Sequence, residues 1–249
     1  MIWTECSGPT HIAPLAGTLF RLVESQEQVA TSTYVDTLEE QALLESMLES
    51  VKPSYPVDTT GLHYLLKTPF RYPPLPWGSR FGRRHEPGLF YGGKDLGATL
   101  AESAYYRFVF WFSMNGTPAK NRIRTSHTLF MAAYRTPAGI QLQEPPFVEF
   151  RSTITHPIKY SETQQLGAAM RAAGVEAFEY PSARDPAHGT CVGLFKPSAF
   201  STPEPAQMHQ WLCAVSASEV TFKALSQPDV YRFTIEHFLV DGTLPLPSY

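Results

Sequence analysis

The spacing of apolar and polar positions along the chain predicts short strands alternating with a few helices. The apolar segment 18–23 is typical of a first strand, and Arg21 lies within it on a stretch expected to enter the core. The continuous apolar run at 128–134 is bounded by polar and turn residues, which favours a buried strand. Two more strands are predicted at 175–180 and 191–195, joined by a loop of turn-forming residues.

Three helices are also indicated. Apolar residues recur at helical spacing through 37–51, with acidic residues between them, which predicts an amphipathic helix. A second helix is predicted over 96–108, with Asp95 as its N-cap and Glu102 near its middle. The third is expected at 162–173.

The ends of this third helix carry recognisable signals. Ser161 is predicted to cap its first turn, and Gln164 to complete a capping box with that serine. Gly174 is placed to end the helix, because glycine readily adopts the left-handed conformation that follows a last turn.

Between the first two helices, residues 52–93 are rich in proline, glycine, tyrosine and arginine. The stretch 70–77 is predicted to be irregular, because its prolines lack an N–H donor and restrict φ. A long ordered loop in a compact domain is more often functional than idle. Strand-like segments follow near the C-terminus at 220–224 and 231–240, so the expected fold class is α+β in a single domain.

Bulk composition narrows the function classes. A chain of 249 residues with 43% hydrophobic residues can bury one sizeable core. A formal net charge of −3 gives no basic surface for nucleic acid, so direct DNA or RNA binding is disfavoured. Three scattered cysteines without a CxxC pair fit a reducing compartment. Neither a secretory leader nor a membrane-spanning stretch is predicted, and residence in the cytoplasm is expected.

Common catalytic signatures are absent from the sequence. It contains no GxSxG elbow, HExxH helix, Walker A lysine or GxGxxG turn. The histidines show no i, i+4 pairing on a helix, so no metal site is predicted. Ser182 and Cys191 could each act as a nucleophile, but no histidine lies at a spacing that predicts a triad, which leaves a serine hydrolase with weak support.

Four ordered segments carry a more specific pattern. They are Gly78-Ser79-Arg80-Phe81-Gly82, Gly88-Leu89-Phe90-Tyr91, Thr99-Leu100-Ala101-Glu102 and Tyr180-Pro181-Ser182-Ala183-Arg184. Together with Arg21, they resemble the RES domain family, named for its arginine, glutamate and serine. The resemblance covers residues 17–200 and implies a catalytic domain there, an N-terminal extension at 1–16, and a C-terminal extension at 201–249 packed on the same domain.

The resemblance implies an NAD-degrading toxin. Members occur widely in bacteria, paired with a DNA-binding antitoxin, and are similar in fold to ADP-ribosyltransferase toxins, which have a mixed split sheet and helices around an NAD cleft. They degrade NAD by phosphorolysis or hydrolysis, so this chain is expected to break the nicotinamide–ribose bond with phosphate or water as acceptor. The implied partners are NAD, inorganic phosphate as a co-substrate, and a protein antitoxin or immunity protein. Self-association and delivery into another cell are left open.

The resemblance also implies roles for the charged residues. A carboxylate stabilises the oxocarbenium character that develops on ribose as the bond breaks, and the matching position is Glu102. Without the resemblance, Glu102 would be interpreted as a helix-surface residue paired with Arg107 or Lys94. Arg21 and Arg80 are expected to hold the pyrophosphate, because a guanidinium offers planar, bidentate donors.

Two uncharged residues complete the expected site. Tyr91 is predicted to stack on the cationic nicotinamide ring, and Ser182 to orient a ribose hydroxyl or a phosphate oxygen.

Two other functions stay open. Transfer of ADP-ribose to a macromolecule often uses a second carboxylate two residues before the first, a position that Leu100 occupies here. A noncatalytic partner-binding module would use the strands at 220–240 as an edge.

Overall fold

The computed structural model of the chain describes residues 1–25, 34–116, 118 and 120–246. These residues form one mixed sheet of eight strands. The strands are β1 Ala13–Glu24, β2 Phe90–Gly93, β3 Ile123–Gln141, β4 Ala177–Pro181, β5 Thr190–Leu194, β6 Gln207–Val215, β7 Glu219–Ala224 and β8 Val230–Thr234. The α-helices are α1 Ile2–Glu5, α2 Leu38–Ser50, α3 Tyr64–Arg71, α4 Leu96–Ser113, α5 Arg151–Ile154 and α6 Ser161–Ala172. Short 3₁₀ turns lie at Gly8–His11, Val57–Thr59, Phe147–Phe150, Pro197–Ala199 and Ile235–Phe238. The predicted α+β class is confirmed.

The sheet combines a closed ring of strands with an extension. Its order is β1-β2-β5-β4-β3-β6-β7-β8, and β1 also pairs with β3, so the first five strands of that order close on themselves. All pairs are antiparallel except β3 with β4. The long strand β3 divides its pairing, because Gly139 to Gln141 pair with β4 while Ile123 to Met131 pair with β6. Strands β6 to β8 therefore continue the same sheet.

Helix α4 packs its apolar side against this extension. Leu100, Tyr105 and Phe108 are fully buried in one cluster with Trp211 and Phe222 of β6 and β7. Burial of that face orients the opposite face of the helix, which carries the partly buried Glu102, away from the sheet extension. The hydrophobic periodicity of α4 thus determines where its one central carboxylate points.

Several local predictions are confirmed. The four predicted strands in the first 200 residues correspond to β1, β3, β4 and β5. Asp95 precedes α4, and its side chain accepts a hydrogen bond from the N–H of Ala98 at 2.7 Å, so it is the N-cap. Gly174 follows α6 with φ +83°, as a terminating glycine requires.

The capping box predicted for α6 is wrong. The N-cap position belongs to Tyr160, Ser161 is the first helical residue, and no side chain caps this end. Gln164 instead donates through Nε2 to the backbone oxygens of Trp77 at 3.0 Å and Ser79 at 3.1 Å. The predicted capping box depended on the Gln164 side chain, which makes this tertiary contact instead.

The predicted long loop contains a helix. Residues 70 and 71, expected to be irregular, form the last turn of α3, which buries Leu65, Leu66 and Phe70. The side chain of His63 caps the first turn by accepting from the N–H of Leu65 at 3.3 Å. The helix stops at Arg71 because the next residue precedes a proline and adopts an extended backbone.

Two further differences concern burial and strand number. Helix α2 forms as predicted, capped by Thr37, but its apolar residues stay on the surface, and Leu38 is 84% exposed. Strand β6 was not predicted, because its first four residues are all exposed and show no alternation. The segment 231–240 is a strand only as far as Thr234 and continues as a 3₁₀ turn. Within the described ranges, no helix combines the length and apolar character needed to cross a membrane.

Candidate functional site

A cavity of about 470 Å³ lies where β1, β2, α4 and β5 meet the loop after α3. Its volume is in the range of pockets that enclose a small organic ligand. The charged residues that line it are Arg21, Arg80 and Glu102. The two arginines can bind an anionic ligand, and the carboxylate can stabilise a positive charge that develops on that ligand.

Glu102 enters the cavity from the exposed face of α4. Its Oε1 accepts a hydrogen bond of 2.6 Å from the hydroxyl of Ser182, and the thiol of Cys191 lies 4.0 Å from the same oxygen. The two ion pairs that would have made Glu102 a surface residue do not form. Lys94 pairs with Glu179 at 2.9 Å, and Arg107 pairs with Glu24 at 2.8 Å.

Ser182 lies behind Glu102, fully buried, and does not belong to the cavity lining. Its Oγ accepts the backbone N–H groups of Arg184 and Asp185, each at 3.1 Å, and its proton is directed to Glu102. The contact with a ribose hydroxyl or a phosphate oxygen that was expected of Ser182 stays a prediction. In this structure the Ser182 hydroxyl donates to the Glu102 carboxylate, and it can therefore orient that group.

Arg80 is buried in the cavity wall. Its Nη1 donates to the backbone oxygens of Ile154 at 3.0 Å and His156 at 2.9 Å, and its guanidinium carbon lies 4.6 Å from the centre of the Tyr160 ring. Its Nε and Nη2 donate to no residue in the described part of the chain, and they are the groups that can serve a ligand. Arg80 is thus held by one edge of its guanidinium while it lines the cavity.

The loop that carries Arg80 depends on one glycine. Gly78 has φ +78°, and a Cβ built there would lie 2.5 Å from the oxygen of Gly82. The turn is closed by the N–H of Ser79, which donates to Gly82 at 2.7 Å, and by the two bonds from Gln164. Only glycine fits this conformation and this close approach.

Tyr91 connects strand β2 to the same loop. Its hydroxyl lies 2.9 Å from the Oγ of Ser79 and accepts the N–H of Phe81 at 3.1 Å. Burial raises the pKa of Tyr91 to about 12, so the phenol is neutral at pH 7. The hydroxyl is occupied in positioning the Arg80 loop, and the partly buried ring lines the cavity, where stacking on nicotinamide stays a prediction.

Arg21 approaches the cavity from β1. Its Nη1 donates to the backbone oxygen of Tyr91 at 2.7 Å, and its guanidinium carbon lies 4.7 Å from the centre of the Phe90 ring. Burial lowers the pKa of Arg21 to about 10, which still leaves it cationic at pH 7. Arg21 thus reaches the cavity from strand β1, and Arg80 reaches it from the loop before β2.

Arg184 joins these parts of the cavity wall, although the sequence pattern did not predict it as a site residue. The guanidinium carbon of Arg184 lies 3.5 Å from the centre of the Tyr105 ring on α4. Its Nη2 donates to the oxygen of Pro157 at 2.8 Å and to the hydroxyl of Tyr160 at 3.3 Å, the ring on which Arg80 rests. The one available signal was its place in the segment that ends two residues after Ser182.

The described residues contain no cluster of side chains that could bind a metal ion. No group of three or more histidine, cysteine, aspartate or glutamate side chains lies close enough there to hold an ion.

Comparison with known proteins gives one family. The family model of the RES domain matches residues 55–216, which is more than half of the chain. That range contains Arg80, Tyr91, Glu102 and Ser182, whereas Arg21 lies outside it. No curated protein matches the chain.

Proposed function

The chain belongs to the RES domain family, and we propose from this premise that it binds NAD and cleaves the nicotinamide–ribose bond. The single observation that carries the proposal is the Glu102 carboxylate, oriented by a buried hydroxyl and placed in a cavity with two arginines. A fixed carboxylate beside a ribose stabilises the positive charge that develops when its glycosidic bond breaks.

The reaction balances without an added cofactor. The bond from ribose C1′ to the nicotinamide nitrogen breaks, and its electron pair neutralises the pyridinium ring as nicotinamide leaves. C1′ then forms a bond to an oxygen of phosphate or of water. With phosphate the product is ADP-ribose 1-phosphate, and with water it is ADP-ribose and a released proton. Both acceptors remain part of the proposal.

The arginines supply what the rest of the substrate needs. The pyrophosphate of NAD carries two negative charges, and guanidinium groups bind such oxygens through paired donors. Arg21 and Arg80 are the two cations in the cavity lining. We assign the pyrophosphate to them, and Ser182 acts on the substrate only through Glu102.

Transfer of ADP-ribose to a macromolecule is less well supported. Leu100, two residues before Glu102, is fully buried in the core and cannot present a group to an acceptor. The further carboxylate that many such transferases use is therefore lacking at that position. A purely noncatalytic role leaves the bond between Ser182 and Glu102 unexplained.

A biological role follows from the family. The RES domain family is associated with toxin–antitoxin systems. An enzyme that consumes NAD harms the cell that contains it, so we propose that this chain acts as a toxin and that a protein antitoxin or immunity protein restrains it.

The test is nicotinamide release from NAD by the purified chain, with and without phosphate. We expect release by the wild type, loss of at least about 100-fold in Glu102→Gln, and no change in Glu39→Gln, an exposed glutamate of α2. Stimulation by phosphate identifies phosphorolysis. Equal release by wild type and Glu102→Gln would remove Glu102 from the reaction.

A further inference from the structure

One face of helix α4 lines the cavity. It carries Thr99, Glu102, Ser103 and Tyr106, which are spaced as i, i+3, i+4 and i+7. The hydroxyls of Thr99 and Ser103 are used within the helix, because they donate to backbone oxygens of α4 and its N-cap at 2.7 and 2.8 Å. Glu102 and Tyr106 therefore remain on this face to contact a ligand.

Tyr106 lies one helical turn after Glu102. Side chains at i and i+4 of a helix have Cβ atoms about 5–6 Å apart. The Cα–Cβ bonds of a helix tilt towards its N-terminus, which directs the ring of Tyr106 back over the turn that carries Glu102. The ring is therefore adjacent to the group that the carboxylate contacts.

The accessible surface of Tyr106 faces the cavity. Its side chain is 50% exposed, and its hydroxyl forms no hydrogen bond with any residue in the described part of the chain. Burial nevertheless raises the pKa of the Tyr106 phenol, and the neighbouring Tyr160 and Glu102 raise it further. A side chain that is both accessible and surrounded by protein borders an enclosed space, and Tyr106 belongs to the cavity lining.

Three other tyrosines of the cavity lining are already engaged. The guanidinium carbon of Arg80 lies 4.6 Å from the centre of the Tyr160 ring. Tyr180 is buried, with 5% of its surface exposed. Tyr91 holds the Arg80 loop through its hydroxyl, and its ring packs edge-to-face against Tyr180 with centres 6.3 Å apart. Tyr106 thus has the more accessible ring, on the helix that carries the carboxylate.

We propose that Tyr106 binds the nicotinamide ring of NAD, with the face of the phenol against the cationic pyridinium. The proposal rests on the proposed cleavage of NAD and deepens it, because it names the residue that recognises the leaving group. The scissile bond joins C1′ of the ribose to the ring nitrogen, so an aromatic side chain beside the carboxylate at C1′ also lies beside the nicotinamide. Tyr106 thereby takes the contact that the sequence predicts for Tyr91.

This contact makes the cavity selective for the oxidised dinucleotide. In NAD the nicotinamide ring is flat, aromatic and positively charged, and the electron-rich face of a tyrosine attracts such a cation. In NADH the ring is a neutral dihydropyridine, and ADP-ribose has no ring at this position. We expect Tyr106 to contribute most to the affinity for NAD, less to that for NADH, and nothing to that for ADP-ribose.

The experiment measures the Kd of NAD, NADH and ADP-ribose by calorimetric titration of the full chain. All variants carry Glu102→Gln, which slows cleavage of NAD during the titration. Tyr106→Leu keeps an apolar side chain against the neighbouring ring of Tyr105 and removes the aromatic face. A cation–π contact corresponds to a factor of about 2 to 30 in affinity, and the Kd of NAD is expected to rise by that factor.

The comparisons identify the ring as the cause. The Kd of NADH is expected to rise less than that of NAD, and the Kd of ADP-ribose to stay unchanged. Tyr106→Phe keeps the aromatic face and is expected to restore the affinity for NAD. The matched control is Phe112→Leu, because Phe112 is an exposed aromatic residue of α4 outside the cavity lining.

The outcomes separate this inference from the proposed function. An unchanged Kd for NAD in Tyr106→Leu overturns the inference, and so does an equal rise for NAD and ADP-ribose, because Tyr106 then contacts another part of the ligand. Equal rises for NAD and NADH, or a Tyr106→Phe variant as weak as Tyr106→Leu, overturn it as well, because the attraction between ring and cation is then absent. The expected pattern of Kd values, together with a wild type that releases no nicotinamide, contradicts the cleavage and supports the ring contact.

Discussion

Replacement of Ser182 by alanine isolates the contact that orients Glu102. The substitution removes the 2.6 Å hydrogen bond to the carboxylate and leaves the N–H groups of Arg184 and Asp185 without their acceptor. A hydrogen bond to a charged group contributes about 1.5–3 kcal/mol, which corresponds to a fall in kcat of roughly 10- to 150-fold. Since Ser182 lies outside the cavity lining, KM for NAD is expected to change by less than about threefold.

The assay is nicotinamide release by Ser182→Ala, by Glu102→Gln and by the double variant. Because the hydroxyl acts through the carboxylate, its removal from Glu102→Gln is expected to cost almost nothing further, so the two effects are not additive. The unsatisfied N–H groups are expected to lower the free energy of unfolding by about 1–3 kcal/mol. Ser216→Ala, at a distant turn between β6 and β7, controls for the loss of a hydroxyl. Additive losses, or a large rise in KM with kcat unchanged, would refute the reasoning and return Ser182 to the substrate.

Three further substitutions test the supports of the site and the core. Gly78→Ala forces a strained backbone against Gly82, so the Arg80 loop should shift, and the KM for NAD should rise at least about tenfold; an unchanged KM contradicts this. Arg184→Met removes two hydrogen bonds and a cation–π contact, and should cost about 1–3 kcal/mol in urea unfolding, with Arg184→Lys recovering only part; full recovery by lysine would show that charge alone suffices. Burial lowers the pKa of His127 to about 4 from 6.5, so the unfolded chain binds more protons between these values, and the wild type should lose roughly 1–3 kcal/mol as pH falls from 6.5 to 4. His127→Gln should lose less over this range in thermal unfolding, and an identical pH profile would contradict the assignment.

Local order and spacing in the sequence predicted which residues come together at the candidate site. Arg80, Tyr91 and Glu102 belong to motifs in a fixed order, and they line one cavity. Asp95 was predicted as a cap because an N-cap depends only on the residues next to it. Short-range signals of this kind are preserved when the chain folds.

The features of the fold and of the site that the sequence did not predict depend on contacts between distant residues, which no local pattern reveals. Gln164 carries a capping-box signal, yet it bonds to the loop before Arg80, more than 80 residues away in the chain. The helical spacing of α2 was correct, but burial of its apolar residues requires a neighbour, and Leu38 has none that covers it among the described residues. Whether Ser182 faces the ligand or Glu102 is likewise a matter of packing.

The most direct test of the central claim is identification of the bond that breaks. Purified chain is incubated with NAD, with and without phosphate, and the products are identified by mass spectrometry. The account predicts nicotinamide together with ADP-ribose, or with ADP-ribose 1-phosphate when phosphate is the acceptor, and at least about 100-fold slower formation of these products by Glu102→Gln. Formation of nicotinamide mononucleotide and AMP would place the cleavage at the pyrophosphate, and intact NAD after incubation with folded protein would contradict the reaction altogether.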